Sequence, residues 1–199
     1  MCEKHGITHI ETLTGFKYIG QIMDDLESKS QSDRFLLGAE ESFGYLTGTH
    51  AKDKDAIIIS VVLAKAAELA KRNHQTLWDR LLFIYATYGI CAEETFTLEF
   101  PPGTRQNEII AKLAPLFAST PQQIYGENVI KTINYQNQEI KIEGQSLHST
   151  QLPKTEALGL FTQNGWMIIR PSGTEPKLKI YGGLTLKAEH DTAKQKLLF

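Results

Sequence analysis

Two short stretches of the chain gather side chains that could do chemistry. The first is Gly38-Ala39-Glu40-Glu41-Ser42-Phe43-Gly44-Tyr45, two carboxylates and a hydroxyl set between glycines. A carboxylate can accept from two neighbouring sugar hydroxyls while a serine both donates and accepts, and hydrogen bonds to a charged partner contribute roughly 1.5–3 kcal/mol each. In an extended turn Glu40 and Ser42 point the same way and Glu41 elsewhere, because side chains alternate. Shortly after, His50-Ala51-Lys52-Asp53-Lys54-Asp55 supplies cations that could meet a phosphate, with Asp53 and Asp55 free to position the lysines. A solvated loop and a helix N-cap would carry the same residues, and on spacing alone that plainer reading stands first.

The second stretch is Arg170-Pro171-Ser172-Gly173-Thr174-Glu175-Pro176, a connection between two apolar strands. Two prolines stiffen it and a glycine lets the backbone turn. A guanidinium can bind a phosphate bidentately, the hydroxyls of Ser172 and Thr174 can donate to the remaining oxygens, and a small Gly173 lets backbone N–H groups approach. An ordinary hairpin loop, with hydroxyls bonded to the turn and Arg170 on the surface, accounts for these residues equally well.

Periodicity indicates the elements that must position these stretches. Ile7 to Glu11 reads as a short strand, and from Gly15 the apolar residues Phe16, Ile19, Ile22, Met23 and Leu26 recur at helical spacing. Arg34 to Leu37 reads as a second strand leading into a long glycine-broken loop that ends near Lys54. Asp55 can cap a helix from Ala56 to about Ala70 that ends in basic residues, and Thr76 begins another to about Tyr88. Thr95 to Phe100 alternates with period two until Pro101-Pro102-Gly103 stops it, so the domain boundary is placed near residue 92, giving 1–91 and 92–199. The second half offers a helix from Gln106 to Phe117 and strands around 129–135, 139–142, 157–162, 166–170 and 178–181. Gln163-Asn164-Gly165 is a hairpin turn, and a helical tail is expected from about Leu186. The fold class is therefore α/β followed by α+β with an antiparallel sheet.

Composition narrows the partners. Lys plus Arg number 21 against 23 Asp plus Glu, and no basic run is long enough to follow a nucleic-acid backbone, so nucleic acid is not expected. Cys2 and Cys91 show no metal or disulfide spacing, which fits a reducing cytoplasm. Apolar stretches such as Ala56 to Leu63 fall short of the ~20 residues a membrane span needs, and the N-terminus lacks a signal peptide's apolar core. A soluble cytoplasmic protein without membrane partners is the expectation.

Taken in order, Thr12-Leu13-Thr14-Gly15-Phe16-Lys17, Gly38 to Tyr45, His50 to Asp55 and Arg170 to Pro176 resemble four motifs of the α-D-phosphohexomutases, and Glu-Glu-Ser-Phe-Gly resembles the phosphoglucomutase branch most. That family's enzymes have four domains, carrying a phosphoserine loop, a magnesium loop, a sugar-recognition loop and a C-terminal phosphate-binding domain. The resemblance covers the last two. It implies a truncated α/β mixed-sheet domain three over 1–91 and a TATA-binding-protein-like α+β domain four over 92–199, the chain starting inside domain three and cutting short the last helix. Neither a Thr-Ala-Ser-His-Asn-Pro-like nor an Asp-Gly-Asp-x-Asp-Arg-like segment occurs. No catalytic residue and no metal ligand are thus expected in this chain, and the isolated chain is expected to be inactive.

Position by position, the resemblance implies that Glu40 and Ser42 bind sugar hydroxyls, that Thr14 and Lys54 line the same site, and that Arg170, Ser172, Gly173 and Thr174 hold the substrate phosphate. Lys17, His50 and Lys52 are possible further binders; Lys52 stands where the glucose branch often has arginine, keeping the charge but losing the bidentate fork. For the whole enzyme it implies magnesium, interconversion of glucose 1-phosphate and glucose 6-phosphate through glucose 1,6-bisphosphate, and the missing N-terminal domains as partners. A mutase for mannose, glucosamine or pentose phosphates, or a stand-alone phosphosugar-binding module, are the alternatives.

Overall fold

Phe16, Ile19 and Met23 fall on one stripe of a 3.6-residue repeat, and they form the buried face of α1 (Phe16–Ser28). The computed structural model in which this is seen describes residues 1–40, 43–173 and 175–186. A hairpin of β1 (Gly38–Glu40) and β2 (Gly44–Leu46) follows, then α2 (Ala56–Arg72) and α3 (Leu77–Tyr88). The chain divides into two compact units, the first Met1–Phe83 and the second beginning at Ile84, within α3.

The core of the first unit is small: Phe16, Ile19, Met23 and the fully buried Leu46, with Phe35, Ala51 and Ile58 against them. Asp55 caps α2, accepting from the N–H groups of Ile57 (2.8 Å) and Ile58 (3.3 Å), as its place before an apolar run predicts. Much of α2 is bare, with Ile57 79% and Val61 59% exposed and Leu63 and Leu69 about half exposed. Two expected strands are not formed. Residues 7–13 and 35–37 have no ladder partner among the described residues. Ile7, Ile10, Leu36 and Leu37 stay exposed, because an apolar alternation makes a strand only where a neighbour offers hydrogen bonds. Of the mixed sheet expected here, the described residues contain the β1–β2 hairpin alone.

The second unit is built on a seven-stranded antiparallel sheet. Its strands are β3 (Ile90–Glu99), β6 (Lys131–Asn134), β7 (Glu139–Ile142), β8 (Gln145–Ser149), β9 (Leu158–Phe161), β10 (Gly165–Pro171) and β11 (Lys177–Leu186). The order is β3-β11-β10-β9-β6-β7-β8. A small ribbon, β4 (Gln123–Ile124) with β5 (Glu127–Asn128), stands apart from it. Helix α4 (Gln106–Ala118) lays Ile109 and Leu113 on Ile169 and Leu178 of the sheet, and burying each such side chain contributes roughly 1.5–3 kcal/mol. Ile124, Leu158 and Leu160 extend this core. The turn at Asn164-Gly165 joins β9 to β10 and is pinned by Glu127, which accepts from the Asn164 side-chain amide (2.8 Å) and backbone N–H (3.1 Å). The expected tail helix lies outside the described residues from 187 onward, and Leu186 itself ends β11. Among the described residues no helix is long and apolar enough to cross a membrane.

Candidate functional site

The hairpin in the first unit holds Glu40 at its turn end, and Lys54 reaches it across fourteen positions of sequence in a short ion pair. The Glu40 side chain is 6% exposed and that of Lys54 50%, so the carboxylate is buried while the lysine reaches it from the surface. Gly44 makes the pair possible, because a Cβ there would come within 2.7 Å of Lys54 Cδ and 2.8 Å of Glu40 Cγ. The segment 47–55 is tied to the hairpin by the Asp55 N–H, which donates to the Tyr45 carbonyl (2.8 Å), and by the Thr47 hydroxyl, which donates to the Leu36 carbonyl (2.8 Å). Ser42 and Glu41 lie outside the described residues.

The other expected residues of this half are committed differently. Lys52 pairs with Asp24 and with Glu27 (2.6 Å) of α1, and the hydrogen bonds to Asp24 and then Glu27 push its pKa up. It therefore clamps the loop to α1. His50 Nε2 lies 2.8 Å from Asp55 Oδ2, and this bond, followed by those from Ile57 and Ile58, holds the Asp55 carboxyl below its usual range. Thr14 is exposed in the segment before the α1 N-cap Gly15, and Lys17 in the first turn of α1 places its ammonium over the Tyr18 ring, 4.9 Å from its centre.

The second constellation is the turn between β10 and β11. Ser172 is buried, and its N–H donates to the Lys177 carbonyl (2.8 Å), closing the loop. A Cβ at Gly173 would meet nothing within 4 Å, so the backbone there is uncovered. Thr174 lies outside the described residues. Arg170 is half-buried; its guanidinium lies 5.8 Å from the centre of the Tyr181 ring, and its Nε is buried with no hydrogen-bond partner. Among the described residues no ion pair engages it. Sequence reading passed over the residues that hold this loop. Lys177 sits 3.3 Å from both Glu99 and Glu175, and these bonds, Glu99's first, push its pKa up. Lys177, Lys179 and Tyr181 share one face of β11, a period-two signal that is present in the sequence.

An oxyanion could find in Arg170 a guanidinium that no carboxylate among the described residues claims, beside the turn at Gly173; a polyol could find in Glu40 a buried carboxylate. Among the described residues no group of three or more His, Cys, Asp or Glu side chains is placed to hold a metal ion.

Comparison with known proteins places the chain in a family. The description "Phosphoglucomutase/phosphomannomutase, alpha/beta/alpha domain III" matches residues 1–88, and "Phosphoglucomutase/phosphomannomutase, C-terminal domain" matches residues 127–192. The chain is 31% identical over 187 residues to a phosphoglucomutase of Staphylococcus haemolyticus, covering 94% of this chain and 34% of that protein. It is 31% identical over 200 residues to one of Staphylococcus epidermidis, covering 99% and 36%, and 31% identical over 194 residues to one of Staphylococcus aureus, covering 96% and 34%. The chain belongs to the phosphohexomutase family and carries its C-terminal portion. It spans about a third of the length of the curated relatives it matches.

Proposed function

We propose that this chain is the sugar- and phosphate-binding portion of a phosphoglucomutase-like enzyme that interconverts glucose 1-phosphate and glucose 6-phosphate. Glu40, with Ser42, accepts from and donates to sugar hydroxyls; Thr14 and Lys54 line that site; Arg170, Ser172, Gly173 and Thr174 hold the phosphate. Lys17 and His50 are further binders, while Lys52 contributes through the clamp to α1. The second unit, a sheet with α4 on one face, follows the TATA-binding-protein-like plan.

In the whole enzyme a phosphoserine outside this chain donates its phosphoryl group to the free hydroxyl of the sugar phosphate. The bisphosphate turns over, and the other phosphate returns to serine. Phosphoryl transfer depends on positioning and on neutralising developing charge, so these two loops provide positioning while the remaining domains provide the nucleophile and magnesium. On its own the chain binds without turning over.

The observation that carries this reading is Arg170, whose buried Nε lacks a partner at the foot of an uncovered turn. A buried guanidinium nitrogen left unbonded is costly unless a ligand completes it. Calorimetric titration with glucose 1-phosphate, beside inorganic phosphate and an Arg170→Ala variant, tests it. Saturable binding abolished by Arg170→Ala is expected; binding that survives the substitution would remove Arg170 from the site. A measurable mutase rate for the chain alone would sink the division of labour.

A further inference from the structure

The buried residues that pack with α4 on the seven-stranded sheet come from β9, β10 and β11. The same face continues onto β6 and β7. Thr132 is in register with Leu160 of the core on one side and with Lys141 on the other, and facing residues of paired strands project to the same side. Arg170, next in sequence to the buried Ile169, projects from the opposite face. Between the end of α4 and these two strands lies a cleft of about 400 Å³, lined by Thr120, Gln122, Thr132, Lys141 and Glu143. A smaller one of about 230 Å³ adjoins it through Thr120, Thr132 and Lys141 and reaches Phe117, Ala118 and Glu139.

The groups around this cleft are short of partners. Thr120 and Thr132 are half-buried, and among the described residues neither hydroxyl makes a hydrogen bond. Helix α4 ends at Ser119 in extended conformation, not in the left-handed one that closes many helices, and the carbonyls of Leu116, Phe117 and Ala118 accept from no described residue. Lys141 lies 3.4 Å from Glu139, which also accepts from the Ser146 hydroxyl (2.8 Å). The charges select against ions, since Glu139 and Glu143 oppose a phosphate or carboxylate and Lys141 opposes an ammonium. A neutral polyol suits what is left: each of its hydroxyls can donate to a carbonyl or carboxylate and accept from a threonine hydroxyl or the Gln122 amide. Pro121 and Val129 offer apolar contact to the C–H face of a sugar ring, and the volume falls within the roughly 300–1,000 Å³ of small-molecule sites. We infer that this cleft binds an unphosphorylated pyranose, as a free sugar or as the end unit of an oligosaccharide. The inference stands apart from the phosphate reading of Arg170 and does not rest on it.

Amide chemical-shift titration of the full chain, with methyl α-glucopyranoside and separately with maltotriose, reads the site directly. Saturable shifts at Thr120, Thr132 and Lys141 with a millimolar dissociation constant are expected. Equal affinity for the two sugars identifies a single-ring site; tighter binding of maltotriose shows that the adjoining cleft takes a second ring. Thr132→Val keeps the shape and the strand and removes only the hydroxyl, so it should weaken binding about five- to tenfold without lowering the melting temperature. Arg170→Ala, Glu40→Gln and added inorganic phosphate should leave the titration unchanged. Loss of glucose 1-phosphate binding with these shifts intact therefore strikes the phosphate reading alone. Three results overturn the inference: no saturable shift at these residues with either sugar, shifts confined to the hairpin around Glu40, or equal affinity of wild type and the Thr120→Val, Thr132→Val double variant.

Discussion

Gly20 lies within α1 where the helix meets the loop that carries Lys52 and Lys54, and Gly20→Ala sets two effects of known sign against each other. A glycine inside a helix costs about 0.8–1.0 kcal/mol relative to alanine, so at an open position the substitution would stabilise. Here an added Cβ would stand 2.9 Å from the backbone carbonyl oxygen of Lys52. A side-chain end could turn away, but that carbonyl belongs to a segment held by the Lys52 pairs to Asp24 and Glu27. Helix and loop must therefore part by a few tenths of an ångström, and overpacking of this kind costs roughly 1–3 kcal/mol. The balance is a net loss of about 1 kcal/mol, which for a unit of this size lowers the melting temperature by about 4–8 °C. Urea titration followed by hydrogen exchange at the amides of Ile19 to Met23 reads the first unit specifically. Protection of those amides that rises in Gly20→Ala would show that the contact yields freely, and would refute the claim that α1 and the loop are in enforced register.

Leu46 is fully buried among Phe16, Ile19 and Met23, so Leu46→Ala should cost about 2–5 kcal/mol and release the hairpin, seen as lost exchange protection in residues 38–46. The Asp55 carboxyl is held below its ordinary 3.8 by His50 and the α2 N-terminus, so its contribution is present above that value and lost as pH falls through the folded value. Asp55→Asn keeps a capping side chain but cannot titrate; its melting temperature should fall less steeply than wild type's as pH drops below about 4. The bare Ile57, Val61, Leu63 and Leu69 of α2 should drive self-association, rising with concentration in light scattering and reduced by Ile57→Lys with Val61→Lys; a clean monomer at high concentration would count against it.

The helices were legible because each carries its own evidence in side-chain period and caps. Phe16 opens α1 where the stripe begins, and Asp55 caps α2 with the bonds its type offers. Strands were legible only where a partner existed. Thr95 to Phe100 and Trp166 to Arg170 found ladders, while Ile7 to Glu11 and Arg34 to Leu37 had the composition without the neighbour. Gln145–Ser149 went unseen because it is a polar edge strand with no apolar alternation. β11 runs past Tyr181, where the apolar pattern stops, because Gly182 and Gly183 leave space for Tyr125 and Trp166 to pack on the strand. In the candidate site residue types could be read and pairings could not. Nothing local says that Lys54 chooses Glu40, or that Lys52 turns to carboxylates 25 and 28 positions earlier.

Each of the two candidate loops is held by bonds within its own unit, which has a consequence for binding. Glu40 is paired with Lys54 in the first unit, whereas Arg170 with its neighbours Tyr181, Lys177 and Glu99 belongs to the second. The two sets share no partner, so their perturbations should add. Glu40→Gln should leave inorganic phosphate binding unchanged and weaken glucose 1-phosphate about ten- to a hundredfold, the equivalent of one charged hydrogen bond of roughly 1.5–3 kcal/mol. Arg170→Lys, which keeps the charge but loses the bidentate fork, should weaken both ligands by the same factor, and the double variant should show the product of the two factors on glucose 1-phosphate. Calorimetry on the four proteins closes the cycle. A Glu40→Gln effect on inorganic phosphate would mean that the sugar carboxylate helps to build the anion site, and the separation of sugar recognition from phosphate binding would fail.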